Sequence, residues 1–198
     1  MRKLSILLFT ITFFLNTQLQ AYSSDPKEFI EELVNDALSK LASKNLEKDI
    51  KINFIENIAL ENVDINALGL YTLGELRKSS SKEDLVNYQQ KFEKYFLKSL
   101  TSRLTDYSSS KFKVLNADKK SSNYTIVTTK VYPNDGGPEI KIDWRIYTKN
   151  PDKPLIRDMI IEGLSLARTQ KEEFASILNS NDNDINILIN KLEEFVNN

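Results

Sequence analysis

The 198-residue chain contains no cysteine and no histidine. Without cysteine there is no disulfide framework, no thiol nucleophile and no lipid-modified N-terminal cysteine. Without histidine the commonest general base and the commonest transition-metal ligand are missing. The chain is therefore expected to be no enzyme, with no metal and no cofactor. Glycine and proline number five each and no interior Ser/Gly tract occurs, so nothing suggests an interdomain linker. Charge is balanced, 27 basic against 28 acidic residues, which removes the electrostatic case for nucleic acid. No internal repeat, phosphate-cradling glycine loop, calcium loop or zinc-binding helix is present.

The N-terminus carries its own message. Arg2 and Lys3 precede the apolar run Leu4 to Leu15, and polar residues lead to Ala21. This is the pattern of a secretory signal peptide over residues 1–21. About a dozen apolar residues fall short of the roughly 20 that a membrane span needs, so cleavage after Ala21 is expected rather than a retained anchor. The mature chain, residues 22–198, then holds 25 positive and 28 negative charges, a formal net of −3. It is long enough for one domain with a sizeable core, or a core and one large cavity.

Helical signals dominate both ends. Asp25, Pro26 and Glu28 form an N-terminal cap for a helix whose buried stripe is Phe29, Leu33, Ala37 and Leu41. A more polar helix is expected over Leu46 to Ala59, and Asp64 caps a short one through Tyr71. Ser81 with Asp84 opens the longest, with a stripe of Leu85, Tyr88, Phe92, Phe96, Leu100, Leu104 and Tyr107. Near the end, Thr169 with Glu172 reads as a capping box, and a last helix buries Ile185, Leu188, Ile189, Leu192 and Phe195.

From Lys111 the period changes to two. Strands are expected at Phe112 to Ala117, Tyr124 to Tyr132, Glu139 to Thr148 and Leu155 to Ile161. Short connections, among them Asn134-Asp135-Gly136-Gly137-Pro138, permit only antiparallel neighbours. The fold class is thus α+β: a four-stranded antiparallel meander covered by N- and C-terminal helices.

The segment from Glu139 to Phe174 says most about function. In its first strand Ile140, Ile142, Trp144 and Ile146 face one way and Lys141, Asp143, Arg145 and Tyr147 the other. Its second strand is almost wholly apolar apart from Arg157 and Asp158. Asp143-Trp144-Arg145, then Asp158-x-x-Ile161-Glu162-Gly163-Leu164-Ser165, then Phe174 on a helix: this series resembles the MlaC (toluene-tolerance) family, and Leu68-Gly69 is a weaker echo of it. Members of that family are periplasmic phospholipid-binding proteins. The resemblance implies a helix-covered sheet enclosing an apolar cavity for two acyl chains, with the headgroup near solvent.

Such a cavity needs many large apolar side chains facing a common space. Val127, Val131, Ile142, Trp144, Ile146, Met159 and Ile161 are candidates on the sheet side, and Phe92, Phe96, Phe174, Ile177 and Leu178 on the helix side. Ordinary core packing leaves the same pattern at each position. At about 0.8 kcal/mol per buried CH₂, shielding ten methylenes contributes on the order of 8 kcal/mol, so no headgroup motif is required. Among polar residues, Asp143, Asp158 and Glu162 lie on adjacent strands, and a structural role for the two aspartates, pairing with Arg145 and Arg157 or capping local backbone groups, is favoured over catalysis. Ser165 lacks the surroundings of a nucleophile, and Asn181-Asp182-Asn183-Asp184 is better read as a helix-capping turn than as a calcium site.

The resemblance further implies a monomeric phospholipid carrier. Its partners would be an outer-membrane lipoprotein–porin complex and the substrate-binding ring of an inner-membrane ABC transporter, and its work would maintain outer-membrane lipid asymmetry. Lys91, Lys94, Lys98, Arg103, Arg168 and Lys171 are candidates for docking faces. Alternatives are a carrier of a hopanoid-like lipid, a small cone-fold isomerase or dehydratase with an inward carboxylate, and a structural adaptor of the envelope with a filled core.

Overall fold

The computed structural model describes residues 22–104, 110–134 and 136–198. The expected signal peptide lies outside the described residues, as do Tyr107, Asp135 and the side chains of Arg103 and Leu104.

Helix α1 (Pro26–Ala42) starts where its cap requires: Asp25 Oδ1 accepts from the N–H groups of Lys27 and Glu28 at 2.9 and 3.1 Å. Glu28 does not close a box on Asp25; its carboxylate accepts from Ser23 Oγ at 2.8 Å. Helix α2 (Lys48–Asn62) begins and ends slightly later than the periodicity indicates, and α3 (Ile65–Thr72) is capped by Asp64, which accepts from Ala67 N–H at 3.1 Å. After the single turn α4 (Leu76–Ser79), α5 (Lys82–Leu104) opens with Ser81 and Asp84 hydrogen-bonded reciprocally at 2.7 and 3.0 Å.

The sheet is antiparallel and its strands follow chain order: β1 (Ser110–Ser121), β2 (Tyr124–Pro133), β3 (Ile140–Tyr147), β4 (Leu155–Ile161) and β5 (Leu164–Ser165). The expected meander therefore has a fifth strand, of two residues, too short to show a period. A two-residue turn produces it. Glu162 and Gly163 both have positive φ, 49° and 86°, the combination a type I′ hairpin needs to match strand twist. Glu162 also ties the turn to β3: its N–H donates to Lys141 O at 3.0 Å, and its carboxylate accepts from Lys141 N–H.

Helix α6 (Leu166–Asn179) corrects the sequence reading at its start, because Ser165, not Thr169, is the N-cap. Ser165 Oγ accepts from Arg168 N–H at 3.1 Å, and Thr169 sits inside the first turn with its hydroxyl on Ser165 O. Helix α7 (Ile185–Asn197) is capped by Asp184, as the polar turn suggested.

Register places Val127, Trp144 and Met159 side by side on one sheet face, with Thr129, Ile142 and Ile161 in the next row and Val131 opposite Ile140 beyond it. Helix α1 packs Phe29, Ile30 and Leu33 against this face around Val127, Trp144, Ile146 and Ile156. A second apolar cluster joins α3, α5, α6 and α7 around Phe92, Phe174, Leu178, Leu188 and Leu192. Val63 packs against both clusters; it forms a parallel bridge with Ile156, and Asp64 N–H donates to Ile156 O at 2.9 Å. Among the described residues no helix is long and apolar enough to cross a membrane.

Candidate lipid-facing site

The twelve apolar residues singled out in the sequence do not form one lining. Phe92, Phe96, Phe174, Ile177 and Leu178 belong to the helical cluster, whereas Val127, Ile142, Trp144, Ile146 and Met159 belong to the sheet cluster. Val131 and Ile161 stand at the half-buried end of the sheet, in neither cluster.

Burial divides them a second way. Phe92, Val127, Trp144, Ile146, Phe174 and Leu178 are buried by the protein itself. Phe96, Val131, Ile142, Met159, Ile161 and Ile177 are only half-buried. Along the sheet this is a gradient. The end under α1, with Val127, Trp144, Ile146 and Ile156, is closed; the end carrying Val131, Ile140, Ile142 and Ile161 is partly open.

Two buried threonines of β2 lie along this face, Thr125 opposite Ile146 in the closed end and Thr129 opposite Ile142, where the half-open end begins. Thr129 has no exposed surface, and its hydroxyl receives the indole N–H of Trp144 at 3.0 Å while donating to Ile142 O at 3.3 Å. Thr129 was missed in the sequence, although its place in the Thr125-Val127-Thr129 alternation marks it as inward-facing. A similar chain in the helical layer links Tyr88 to Thr72 at 2.8 Å and Thr72 to Gly69 O at 2.8 Å. Since the Thr72 hydrogen is used on Gly69 O, the Tyr88 hydroxyl donates, and burial raises its pKa. Gly69 is needed for closeness: a Cβ there would lie 2.9 Å from Phe92 Cδ1.

The expected ionic partners hold for Asp158, which meets Arg145 and caps a backbone N–H, and differ for Asp143 and Arg157. Asp143 bonds Lys141 at 2.9 Å and the Thr128 hydroxyl at 2.6 Å, not Arg145. Burial opposes its ionised form, but these bonds outweigh it and hold the carboxyl below its usual pKa. Asp158 is buried, takes Ala167 N–H at 3.1 Å and Ser165 Oγ at 2.7 Å at the start of α6, and lies 3.6 Å from Arg145. Arg157 reaches Asp64 with Nη2 at 2.6 Å and Nε at 2.8 Å, donates to the Tyr124 hydroxyl at 2.9 Å, and stacks over Tyr147 at 3.4 Å from the ring centroid. Asp143 and Asp158 thus serve the sheet and a helix start, and Asp143 and Arg145 alternate away from Trp144.

Two shallow surface grooves accompany α5. One, of about 680 Å³, is lined by Lys82, Glu83, Asp84, Val86, Asn87, Gln90 and Asn186. The other, of about 420 Å³, runs from Asn66 along Val86 to Lys94. Both are lined mainly by polar and charged residues, and none of the twelve residues lines either. Of the cations proposed for docking, Lys91 pairs with Glu193 at 2.6 Å, Lys98 donates to Val196 O at 3.0 Å and Arg168 lies 3.5 Å from Glu172.

A family model described as MlaC protein matches residues 31–194. The chain belongs to the MlaC family. No curated protein matches it in sequence. Among solved structures, a phospholipid-binding protein of Ralstonia solanacearum, determined in complex with a phospholipid, is similar with a TM-score of 0.70 at 17% identity. The match covers 84% of this chain and 94% of that one. The α+β fold expected from the sequence is thus an MlaC fold, its open antiparallel sheet flanked by helices.

Proposed function

We propose that this protein is a periplasmic phospholipid carrier, made with a signal peptide over residues 1–21 and a single lipid-binding domain over 22–198. One observation carries the reading: the apolar sheet face of this MlaC-family chain is closed at one end and left half-open at the other. Apolar side chains there, Val131, Ile140, Ile142 and Ile161, retain contact with water that acyl chains would remove. Of the twelve residues expected to touch lipid, Phe96 and Ile177 are the half-buried ones in the helical layer. The Ralstonia protein, with the same fold, was solved with phospholipid bound, which supports that cargo here.

The work required is binding and release, with no bond made or broken. Acyl chains are costly in water, so a carrier holds them until a docked partner offers a second apolar route, and differential affinity between free and docked states drives transfer. The partners proposed are an outer-membrane lipoprotein–porin complex and the ring of an inner-membrane ABC transporter, with lipid asymmetry as the outcome and a monomer as the travelling form.

Native mass spectrometry of the mature protein, purified without detergent and followed by lipid extraction, tests the cargo. One phospholipid mass per chain is the expected result. A clean apoprotein that also takes no lipid from vesicles would overturn the reading, and a bound sterol-like mass would replace phospholipid with another amphipathic lipid.

A further inference from the structure

The open edge of the sheet is β1. It pairs only with β2 among the described residues, leaving the backbone groups on its other side without a strand partner. Its first half alternates strictly. Phe112 and Val114 lie opposite Val131 and Thr129, on the apolar face, and are half-buried; Lys111 and Lys113 lie on the other face and are exposed.

The register also concentrates charge. Lys113 is directly opposite Lys130, and Lys130 directly opposite Lys141, a row of like charges across three strands that is unfavourable by itself. The inner two are compensated, Lys130 by Glu139 at 2.5 Å and Lys141 by Asp143 at 2.9 Å. Lys113 has no ion pair among the described residues, nor has Lys111. Within the row the uncompensated cation is thus Lys113, on the edge strand, and Lys111 beside it on the same face is likewise unpaired.

We infer that β1 accepts an added strand from a partner protein, an extended segment in which acidic and apolar residues alternate. Its backbone would pair with the open edge, its carboxylates would lie beside Lys111 and Lys113, and its apolar residues would abut Phe112 and Val114. Charge decides against the other occupants. Two copies joined antiparallel about Phe112 would set Lys111 against Lys113, like charges opposed in a new ladder. A lipid surface supplies anions but cannot satisfy a row of strand N–H and C=O groups. A register shift between Val114 and Asn116 interrupts the ladder and limits its first regular stretch to the first half of the strand.

The inference goes beyond the lipid reading and is tested without lipid. A fluorescein-labelled peptide of alternating Glu and Val is titrated into the purified protein and followed by anisotropy. A control peptide of the same charge carries Pro at its central Val position, which removes a ladder donor. Saturable binding by the first, at least tenfold weaker binding by the Pro peptide, and a tenfold loss for Lys111→Glu with Lys113→Glu are expected, with Lys113→Gln intermediate and all variants keeping the native melting temperature. Equal binding of the two peptides, or unchanged binding by the variants, would overturn it. So would self-association through β1, or capture by phosphatidylglycerol vesicles with no peptide binding.

Discussion

The indole N–H of Trp144 ends on the hydroxyl of the buried Thr129 at 3.0 Å, where the closed end of the sheet meets the half-open one. Thr129→Val keeps the shape and removes the acceptor, leaving a buried N–H unpaired. A loss of about 1–3 kcal/mol in urea unfolding is expected, with Thr129→Ser recovering part of it. Trp144 is the only tryptophan, so its fluorescence reports the transition directly.

Arg157 joins the two layers through Asp64, at the junction where Val63 packs against both apolar clusters. Arg157→Lys keeps the charge but gives up the forked contact and the stacking on Tyr147, so a loss of about 1–2 kcal/mol is expected. Amide exchange at Asp64, whose N–H is held by Ile156 O, should quicken more than exchange in α7.

Gly69→Ala pushes a methyl toward the ring of Phe92, which is buried and cannot swing into solvent. About 1–3 kcal/mol of destabilisation should appear in thermal or urea melts.

Lipid contact and core packing separate by substitution. Phe92→Ala or Phe174→Ala should cost about 3–5 kcal/mol of stability as cavities in a sealed cluster. Ile161→Ala and Phe96→Ala, at half-buried positions, should cost much less yet lower phospholipid occupancy measured by native mass spectrometry. Unchanged occupancy in both would remove these residues from the lipid path.

The pH dependence has opposite signs at its two ends. Asp143 has a folded pKa below the ordinary 3.8, so its contribution is present above that value and is lost as pH falls below it. Tyr88 has a folded pKa raised above 10.0, so its contribution is complete below pH 10 and is lost as pH rises beyond it. Tyr88→Phe should flatten the alkaline limb of a stability–pH curve, and Asp143→Asn the acid limb.

Local rules were enough for much of the fold. Caps at Asp25, Asp64, Ser81 and Asp184 were readable because a capping side chain bonds within three residues of itself. The faces of β2 and β3 were readable because the period of two is imposed by the backbone, and the β4 limits fell where the apolar run does; within β4 a register shift puts Ile156 and Met159, three apart, on one face, which alternation does not foresee. The start of α6 was misread because Ser165 and Thr169 are equally good caps locally; the buried carboxylate of Asp158, on the neighbouring strand, favours the earlier start.

The sequence alone determined which residues are apolar, which face of β2 and β3 they occupy, the family resemblance and the absence of thiol and imidazole chemistry. Tertiary structure decided which of the twelve apolar residues are sealed and which stay half-open, that Arg157 pairs with Asp64, 93 positions away, and that Lys113, Lys130 and Lys141 stand in one row. The reason is physical: periodicity fixes a side chain's direction along its own element, whereas burial and ion pairing depend on what the rest of the chain brings to meet it.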